Sequence, residues 1–279
     1  MTSKVEQHAR DVLAAACADA GFRRELAEFL LAICRIDTTP NPDVGAMGAR
    51  ESEVFGLIRN YLGNGLWCCE ERPIPPSIAG HQAFSKLHFT RTGARPQGLT
   101  PEEAYAGRTN LLAMADGAPA AAGRNTAVNA HVDVIAPFIE PVLDGEVIHG
   151  RGAADDKANV AAICGALKVI ERLVEKGVIG LKNGITAMFP VEEETGGNGS
   201  LALALDRQLR ARYESLMVME CAGLNVYPAN RGAVWFLCQA RRNPDAEVSP
   251  AEAMAFGVLA MRGEGAAIKA ESDHPLFPH

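Results

Sequence analysis

Short apolar runs alternate with helical patterns through the middle of the chain, and this alternation limits the fold more than any other feature. Residues 110–115, 126–130, 185–191 and 216–219 have the length and composition of buried strands. Helical spacing fills residues 156–176, where Gly177 is placed to end the helix, and residues 200–209. Strands that alternate with helices predict an α/β domain, with a mostly parallel mixed sheet flanked by helices.

Two helical patterns precede this region, and a loop rich in Thr, Pro and Asp separates them at residues 37–45. Their apolar positions are Leu26, Phe29, Leu30 and Ile33 in the first, and Val54, Leu57, Ile58, Tyr61 and Leu62 in the second. A further strand is predicted at 66–72, ahead of three prolines. Residues 81–107 are expected to form an irregular excursion with one strand, and residues 117–123 an Ala/Gly turn.

Composition and charge favour a soluble globular protein. The chain has 279 residues, of which 48% are apolar and 22% charged, and its formal net charge is -7. Acidic residues are spread along the chain without a basic stripe, which argues against a nucleic-acid partner. No run reaches the roughly 20 apolar residues that cross a bilayer, so no membrane partner is expected.

The cysteines indicate a reducing compartment. There are seven, at positions 17, 34, 68, 69, 164, 221 and 238. An odd number without a repeating spacing argues against a disulfide framework. Because residues 1–10 are polar and lack the apolar centre of a signal peptide, the expected location is the cytoplasm.

Residue types that bind metals follow three of the predicted strands and begin one predicted helix. His131 and Asp133 follow the strand 126–130, and Asp155 and Asp156 lie at a helix start in the run HGRGAADDKAN at 149–159. Three glutamates, 192–194, follow another strand, and Glu220 follows the last. Since ligands collect at the carboxyl ends of parallel strands, we expect these side chains to share one crevice.

Each cluster also has an ordinary structural interpretation. A histidine after a strand is usually structural, an aspartate at a helix start is often a cap, and a run of glutamates usually faces solvent. Taken together, however, these groups would crowd many negative charges, which repel one another unless cations neutralise them. Imidazole and carboxylate ligands without thiolate suit zinc, cobalt or manganese.

Two divalent ions roughly 3.5–4 Å apart could share a bridging carboxylate and a bridging water. Such a pair needs a nearby general base that is not itself a ligand. Glu193 and Glu194 are adjacent, so on an extended backbone they point to opposite sides. One can therefore bind an ion while the other receives the proton.

At these residues the chain resembles the dizinc metallohydrolase family of acetylornithine deacetylase, succinyl-diaminopimelate desuccinylase, aminoacylase and glutamate-releasing carboxypeptidases. The resemblance extends from about the first helix to Gly232 and includes the run MECAGLNVYPANRG at 219–232. It implies a zinc-exopeptidase-like catalytic domain that uses two zinc ions, with cobalt as an alternative. This chain departs from the family in one respect here, since Cys221 and Ala222 stand where Pro-Thr often follows the carboxylate.

The resemblance also implies a role for each candidate residue. His131, Asp155 and Glu220 would bind one ion, with Asp155 bridging to a second ion held by Glu194. Glu193 would be the general base, and Asp133 would orient the imidazole. Asp156 stands where the family varies and is interpreted as a helix-start residue.

A final histidine ligand of the second ion lies far downstream in the family, after an inserted lid or dimerisation domain. The resemblance therefore implies residues 1–231 as the N-terminal portion of the catalytic domain and 232–279 as the start of the lid, with its opening strand near 234–239 and a helix after that strand. It also suggests a homodimer whose contact region lies mostly beyond this sequence. His274 and His279, in a Pro-rich tail, are weak candidates to replace the missing ligand.

The leading hypothesis is a hydrolase that cleaves an amide bond of a small N-acyl amino acid or short peptide, through a metal-bridged hydroxide. The alternative is a catalytically incomplete fragment or pseudo-enzyme that binds at most one ion. A nucleotide-binding domain based on Gly150 and Gly152 is set aside, because the chain has neither G-x-G-x-x-G nor a Walker-type pattern there.

Overall fold

The computed structural model describes residues 4–117, 125–220, 223, 225–227, 238–242, 245 and 247–271. The chain divides into two compact units, Met1–Gly223 and Leu224–His279. The first unit contains the sheet and every residue of the candidate site. The two units are therefore described separately.

The first unit consists of helices around a central sheet and a small hairpin. Its helices are α1 (Lys4–Ala18), α2 (Ala20–Cys34), α3 (Val44–Leu62), α4 (Pro101–Ala104), α5 (Lys157–Glu175), α6 (Asn198–Leu205) and α7 (Arg207–Arg210). Its strands are β1 (Cys68–Pro73), β2 (Thr109–Ala115), β3 (Asn125–Asn129), β4 (Val142–Asp144), β5 (Val147–His149), β6 (Ile185–Phe189) and β7 (Tyr213–Val218). Single 3-10 turns occur at Pro76–Gly80 and His88–Thr90.

The central sheet has the strand order β1-β2-β6-β3-β7, and β4 and β5 form a separate antiparallel hairpin. Strand β2 pairs antiparallel with both of its neighbours, whereas β3 pairs parallel with β6 and β7. It follows that β1, β6, β3 and β7 all run in the same direction. The mostly parallel mixed sheet expected from the sequence is confirmed.

Helices cover both faces of the sheet. Alternate residues of β2 point to opposite sides, so Leu111 and Ala113 join the large core while Leu112 and Met114 join a smaller one. The large core contains residues of α2, α3 and α5, and the smaller one contains Leu203 of α6. Burial on both faces explains why β2 is an uninterrupted apolar run.

Local capping fixes several helix ends. The carboxylate of Asp19 accepts a hydrogen bond from the amide of Phe22 (2.6 Å) at the start of α2, and Asp43 accepts from Ala46 (3.0 Å) at the start of α3. Helix α3 thus begins within the loop predicted at 37–45. Asp206 caps α7 through the amides of Gln208 and Leu209, so the single helix predicted at 200–209 is two short helices.

Residues 81–107, expected to form an irregular excursion with one strand, and the preceding residues 76–80 follow an irregular path without that strand. This stretch contains the two 3-10 turns and α4, whose capping box joins Thr100 and Glu103. The turn predicted at 117–123 lies largely outside the described residues.

The second unit contains α8 (Pro250–Glu271), which lies in the region where a helix was expected. None of its 22 residues, all within the described part of the chain, is buried. Most of the strand expected at 234–239 lies outside the described residues. Over the part of the chain that is described, no helix combines the length and apolar character that crossing a bilayer requires.

Candidate metal centre

Three neighbouring parallel strands bring the candidate ligands to one edge of the sheet. His131 follows the central strand β3, Glu193 and Glu194 follow β6, and Glu220 follows β7. Asp155 lies just ahead of α5. The structure therefore places the five residues predicted as ligands or general base together in space.

The imidazole of His131 lies at the centre of this group and is buried, with 1% of the residue exposed. Its Nδ1 is 3.0 Å from the main-chain oxygen of Asp133 and 3.4 Å from a carboxylate oxygen of the same residue. Its Nε2 faces the other carboxylates, at 3.2 Å from Asp155, 3.8 Å from Glu193 and 3.9 Å from Glu220. Contact with Asp133 at Nδ1 leaves Nε2 directed toward the candidate ligands.

Asp133 also holds the turn that follows β6. One of its carboxylate oxygens accepts a hydrogen bond from the amide of Glu193 (3.1 Å), and the other accepts from the amide of Glu194 (3.0 Å). Asp133 is itself buried, with 4% exposed. A single carboxylate thus links the imidazole after β3 to both glutamates after β6.

The aspartate pair before α5 divides into an exposed and a buried member. The Asp155 side chain is 48% exposed, whereas Asp156 is fully buried. Asp156 lies at the helix start, as predicted, but its carboxylate accepts hydrogen bonds from the amide of His131 (3.0 Å) and from Nδ2 of Asn159. The neighbouring Lys157 donates to two main-chain oxygens at the end of α2, which fixes the start of α5 against that helix.

Crowding shifts the ionisation of these groups. Burial raises the pKa of Glu194 to about 7, with the charge of Asp155 as the next cause, and burial also raises the pKa of Glu193. Burial likewise raises the pKa of Asp156 to about 7. Burial lowers the pKa of His131, but its hydrogen bond to Asp133 and the surrounding carboxylates outweigh this and raise the pKa to about 10. The site therefore favours positive charge.

The donor atoms fall into three overlapping groups, and within each group all atoms lie within 4.8 Å of one another. The groups are His131 with Asp155 and Glu194, His131 with Glu193 and Glu220, and Asp155 with Asp156 and Glu220. This arrangement of one imidazole and several carboxylates has the ligand chemistry that suits zinc or a similar divalent ion. The residues present thus fit metal binding.

A buried ionic cluster next to the turn after β6, which carries the three glutamates, could not be identified from the sequence. Arg108 lies between Glu51 of α3 and Glu192, the first of the three glutamates, and Tyr105 contacts Glu192 as well. All four residues are at most 3% exposed. The only sequence signal was an arginine directly before a buried strand, and it does not identify distant partners.

A second contact holds the far end of the same turn. The hydroxyl of Ser85 donates to the main-chain oxygen of Gly196 (2.9 Å), and Ser85 exchanges two main-chain hydrogen bonds with the side chain of Asn198 (3.0 and 2.9 Å). The irregular excursion thus packs onto the turn that carries Glu193 and Glu194.

Three residues named from the sequence lie outside the described part of the chain. They are Cys221, beside Glu220, and the two tail histidines His274 and His279. The six described cysteines are free thiols.

The fold, a mainly parallel mixed sheet flanked by helices, matches the catalytic-domain folds of M20 peptidases. Residues 127–255 match the family model described as Peptidase family M20/M25/M40. The matched segment contains every candidate ligand and the candidate base.

Individual relatives agree with this match. The chain is similar to a peptidase M20 domain-containing protein of Schizosaccharomyces pombe, with 37% identity over 33% of this chain and 22% of that protein. It is also similar to a probable carboxypeptidase of Arthroderma benhamiae, with 28% identity over 42% of this chain and 26% of that protein. The structure of human carnosine dipeptidase 1 superposes with a TM-score of 0.53 and 13% identity, over 76% of this chain and 41% of that one. The chain thus spans well under half the length of these relatives.

Proposed function

We propose that this chain is the N-terminal portion of a metal-dependent hydrolase that cleaves an amide bond in a small N-acyl amino acid or a short peptide. The observation that carries the proposal is the convergence of His131, Asp155, Glu193, Glu194 and Glu220 at one sheet edge. The family match over residues 127–255 supports the same reaction class. Residues 1–231 would belong to the catalytic domain and residues 232–279 to the start of a lid.

Two divalent ions would occupy the site, with zinc as the expected metal and cobalt as an alternative. His131, Asp155 and Glu220 would hold one ion, and Glu194 would hold the other with Asp155 shared between them. Bound there, the ions would activate a water and polarise the carbonyl of the substrate amide.

The chain's own residues supply orientation and proton transfer. Glu193 is half-exposed toward the site, and its raised pKa suits a group that accepts a proton and then releases it to a leaving amine. Asp133 holds the amides of Glu193 and Glu194, which keeps the base and the ligand side by side. Asp156 accepts a hydrogen bond from the main-chain amide of His131, which fixes the backbone position from which the imidazole projects.

A second candidate function is a catalytically incomplete fragment that binds one ion. In the proposed assignment, the described residues give the first ion three ligands but the second only two, Asp155 and Glu194. An ion with two protein ligands is held weakly in comparison with one held by three or four.

Metal content separates the two candidates. The chain is purified without a chelating tag, dialysed against trace zinc and analysed by elemental mass spectrometry. About two ions per chain supports the two-ion hydrolase, and about one supports the incomplete site. A folded chain without bound metal contradicts both candidates.

Glu193→Gln tests the base, with N-acetyl amino acids and dipeptides as substrates. This variant should retain the metal content of the wild type and lose hydrolysis, because glutamine cannot accept the proton. The matched control is Glu140→Gln, which alters an exposed glutamate outside the cluster and should leave both properties unchanged. Hydrolysis that persists in Glu193→Gln contradicts the role of Glu193.

A further inference from the structure

Arg108 is held on two sides by buried carboxylates. Its Nη2 and Nε donate to the two oxygens of Glu51, at 2.6 and 3.1 Å, which is the two-point geometry that a guanidinium favours. On the other side Nη1 donates to Glu192. The hydroxyl of Tyr105 donates to the second oxygen of Glu192 at 3.0 Å. Both oxygens of Glu192 are therefore engaged.

Such a cluster is a poor device for stability alone. It buries two carboxylates with one guanidinium, so one negative charge has no opposite partner within it. Burial raises the pKa of Glu51, although Arg108 opposes this. Buried ion pairs can often be replaced by apolar residues without loss of stability, so the presence of this one needs another reason.

The backbone conformation of Glu192 suggests why the cluster is present. Glu192 has φ of 62°, in the left-handed region that residues other than glycine rarely adopt, and it is the only such residue among those described. This conformation is strained for a residue with a Cβ atom and persists where the surroundings enforce it. The next two residues along the chain are Glu193 and Glu194. The direction of the backbone at Glu192 therefore decides where both carboxylates point.

Other contacts hold the main chain of the turn but not the side chain of its first residue. The main-chain oxygen of Glu192 accepts from Gly197 at 2.7 Å, which closes the turn on itself. Asp133 holds the amides of Glu193 and Glu194, and Ser85 holds Gly196. Arg108 and Tyr105 form hydrogen bonds with the Glu192 side chain. These bonds join the beginning of the turn to α3 and to the start of β2.

We propose that Arg108 is a positioning residue for the metal centre: by holding Glu192 against Glu51, it directs Glu193 and Glu194 toward the proposed ions. The inference rests on the proposed function, because it assigns a purpose to the direction of those two carboxylates. Arg108 acts through Glu192 and does not touch the ions or the substrate.

The test compares Arg108→Lys and Glu192→Gln with the wild-type chain. Arg108→Lys keeps the charge but loses the two-point geometry, and Glu192→Gln keeps the shape but removes the charge. The control is Arg95→Met, which removes an exposed pair in which one guanidinium nitrogen of Arg95 contacts both carboxylate oxygens of Glu103. Urea unfolding of each variant measures global stability.

The first readout is hydrogen exchange of the Glu193 and Glu194 amides in the metal-free protein. If Arg108 positions the turn, both test variants should exchange these amides at least about tenfold faster than the wild type, relative to amides of β2 in the same sample. Arg95→Met should match the wild type. Exchange that stays within about twofold in two folded variants overturns the proposal.

The second readout is zinc affinity, measured by calorimetry. If the Glu194 carboxylate loses its orientation, the zinc affinity of the site that contains it should fall about 10- to 100-fold. The zinc affinity of the site formed by His131 and Glu220 should be nearly unchanged. Equal affinities in wild type and variants contradict the inference. A wild-type chain that binds no zinc contradicts the proposed function instead, and the exchange readout still decides the role of Arg108.

If the single variants do not fold, the triple variant Glu51→Gln, Arg108→Met, Glu192→Gln removes every charge of the cluster at once. A folded triple variant with rapid exchange at Glu193 and Glu194 supports positioning. A folded triple variant with wild-type exchange shows that the turn keeps its shape without Arg108, which overturns the proposal.

Discussion

Among single residues, Asp133 makes the contacts on which the geometry of the site depends most directly. Its main-chain oxygen and its carboxylate both face Nδ1 of His131, and the carboxylate accepts the amides of Glu193 and Glu194. Residues that form hydrogen bonds with a metal ligand typically fix the orientation of that ligand and tune its basicity. Asp133 does this for residues from two different strands.

Asp133→Ala should lower zinc affinity about 10- to 100-fold, because the imidazole loses a support and two buried amides lose their acceptor. Asp133→Asn should cause a smaller loss, since one acceptor oxygen remains. Competition with a chromophoric zinc chelator measures both. Asp144→Asn, on the exposed β4–β5 hairpin, is the control. Wild-type affinity in Asp133→Ala would show that the support is dispensable.

The sequence identified the residues that converge at the site but not the residues behind them. His131, Asp155, Glu194 and Glu220 could be predicted because each follows a strand or begins a helix, and strand direction places those positions together. The role of Glu192 could not be predicted, since a run of three glutamates normally faces solvent. Its burial depends on Arg108, which is 84 residues away in the sequence.

Among the elements, β6 and α6 pack closely against each other where β6 ends and α6 begins. A methyl group at Gly199 would lie 2.1 Å from the main-chain oxygen of Val191 and 2.8 Å from the side-chain oxygen of Asn110. The Asn110 side chain forms two hydrogen bonds at this point: it accepts from the amide of Val191 and donates to the main-chain oxygen of Gly199. The start of α6 therefore approaches the end of β6 as closely as only glycine permits.

Gly199→Ala should destabilise the fold by about 1–3 kcal/mol, because the nearest atom belongs to the backbone and cannot turn aside. Gly56→Ala is the matched control, since Gly56 lies inside α3 with no atom within 4 Å of the added methyl group. That change should stabilise the chain by about 0.5–1 kcal/mol. Urea unfolding measures both, and equal effects would contradict the assigned packing.

Element types were more predictable than element boundaries. The five strands of the central sheet and the helices α2, α3 and α5 appear where apolar periodicity indicated them, because buried strands and amphipathic helices have distinct patterns. Helix α1 and the β4–β5 hairpin were not predicted. The break between α6 and α7 depends on one side chain, Asp206, which forms hydrogen bonds with the amides that follow it. The excursion at 76–107 has no repeating pattern, so its 3-10 turns could not be predicted.

At the scale of the whole molecule, burial is distributed unevenly between the two units. Helix α5 of the first unit has ten buried residues, whereas α8 of the second has none. Several large apolar side chains of α8 are exposed, including Phe256 at 67% and Ile268 at 66%. Helices in globular proteins gain most of their stability from a packed apolar face, so α8 has little packing support among the residues that the structure describes.

Hydrogen exchange should therefore separate the units. Amides of β2, β6 and α5 should exchange only through global opening, whereas those of α8 should exchange at least about tenfold faster. Mass-spectrometric exchange on the 279-residue chain measures this directly. Equal protection of α8 and α5 would show that α8 is packed in solution.

The order of the strands in the sheet could not be predicted from the sequence. The sequence predicts a mostly parallel sheet, but β2 runs against its neighbours and β6 lies between β2 and β3, out of chain order. All of these strands are short, so their residue patterns do not distinguish one neighbouring strand from another. The order depends on which helices cover each face.

The proposed ligands are spread along the chain, with His131 after β3 and Glu220 after β7. During synthesis the imidazole emerges from the ribosome well before the last carboxylate, and no short segment carries a full donor set. A nascent chain would therefore compete poorly for scarce cellular zinc until β7 has been made and has joined the sheet. The order of translation would thus make metal acquisition a late event in the maturation of this protein.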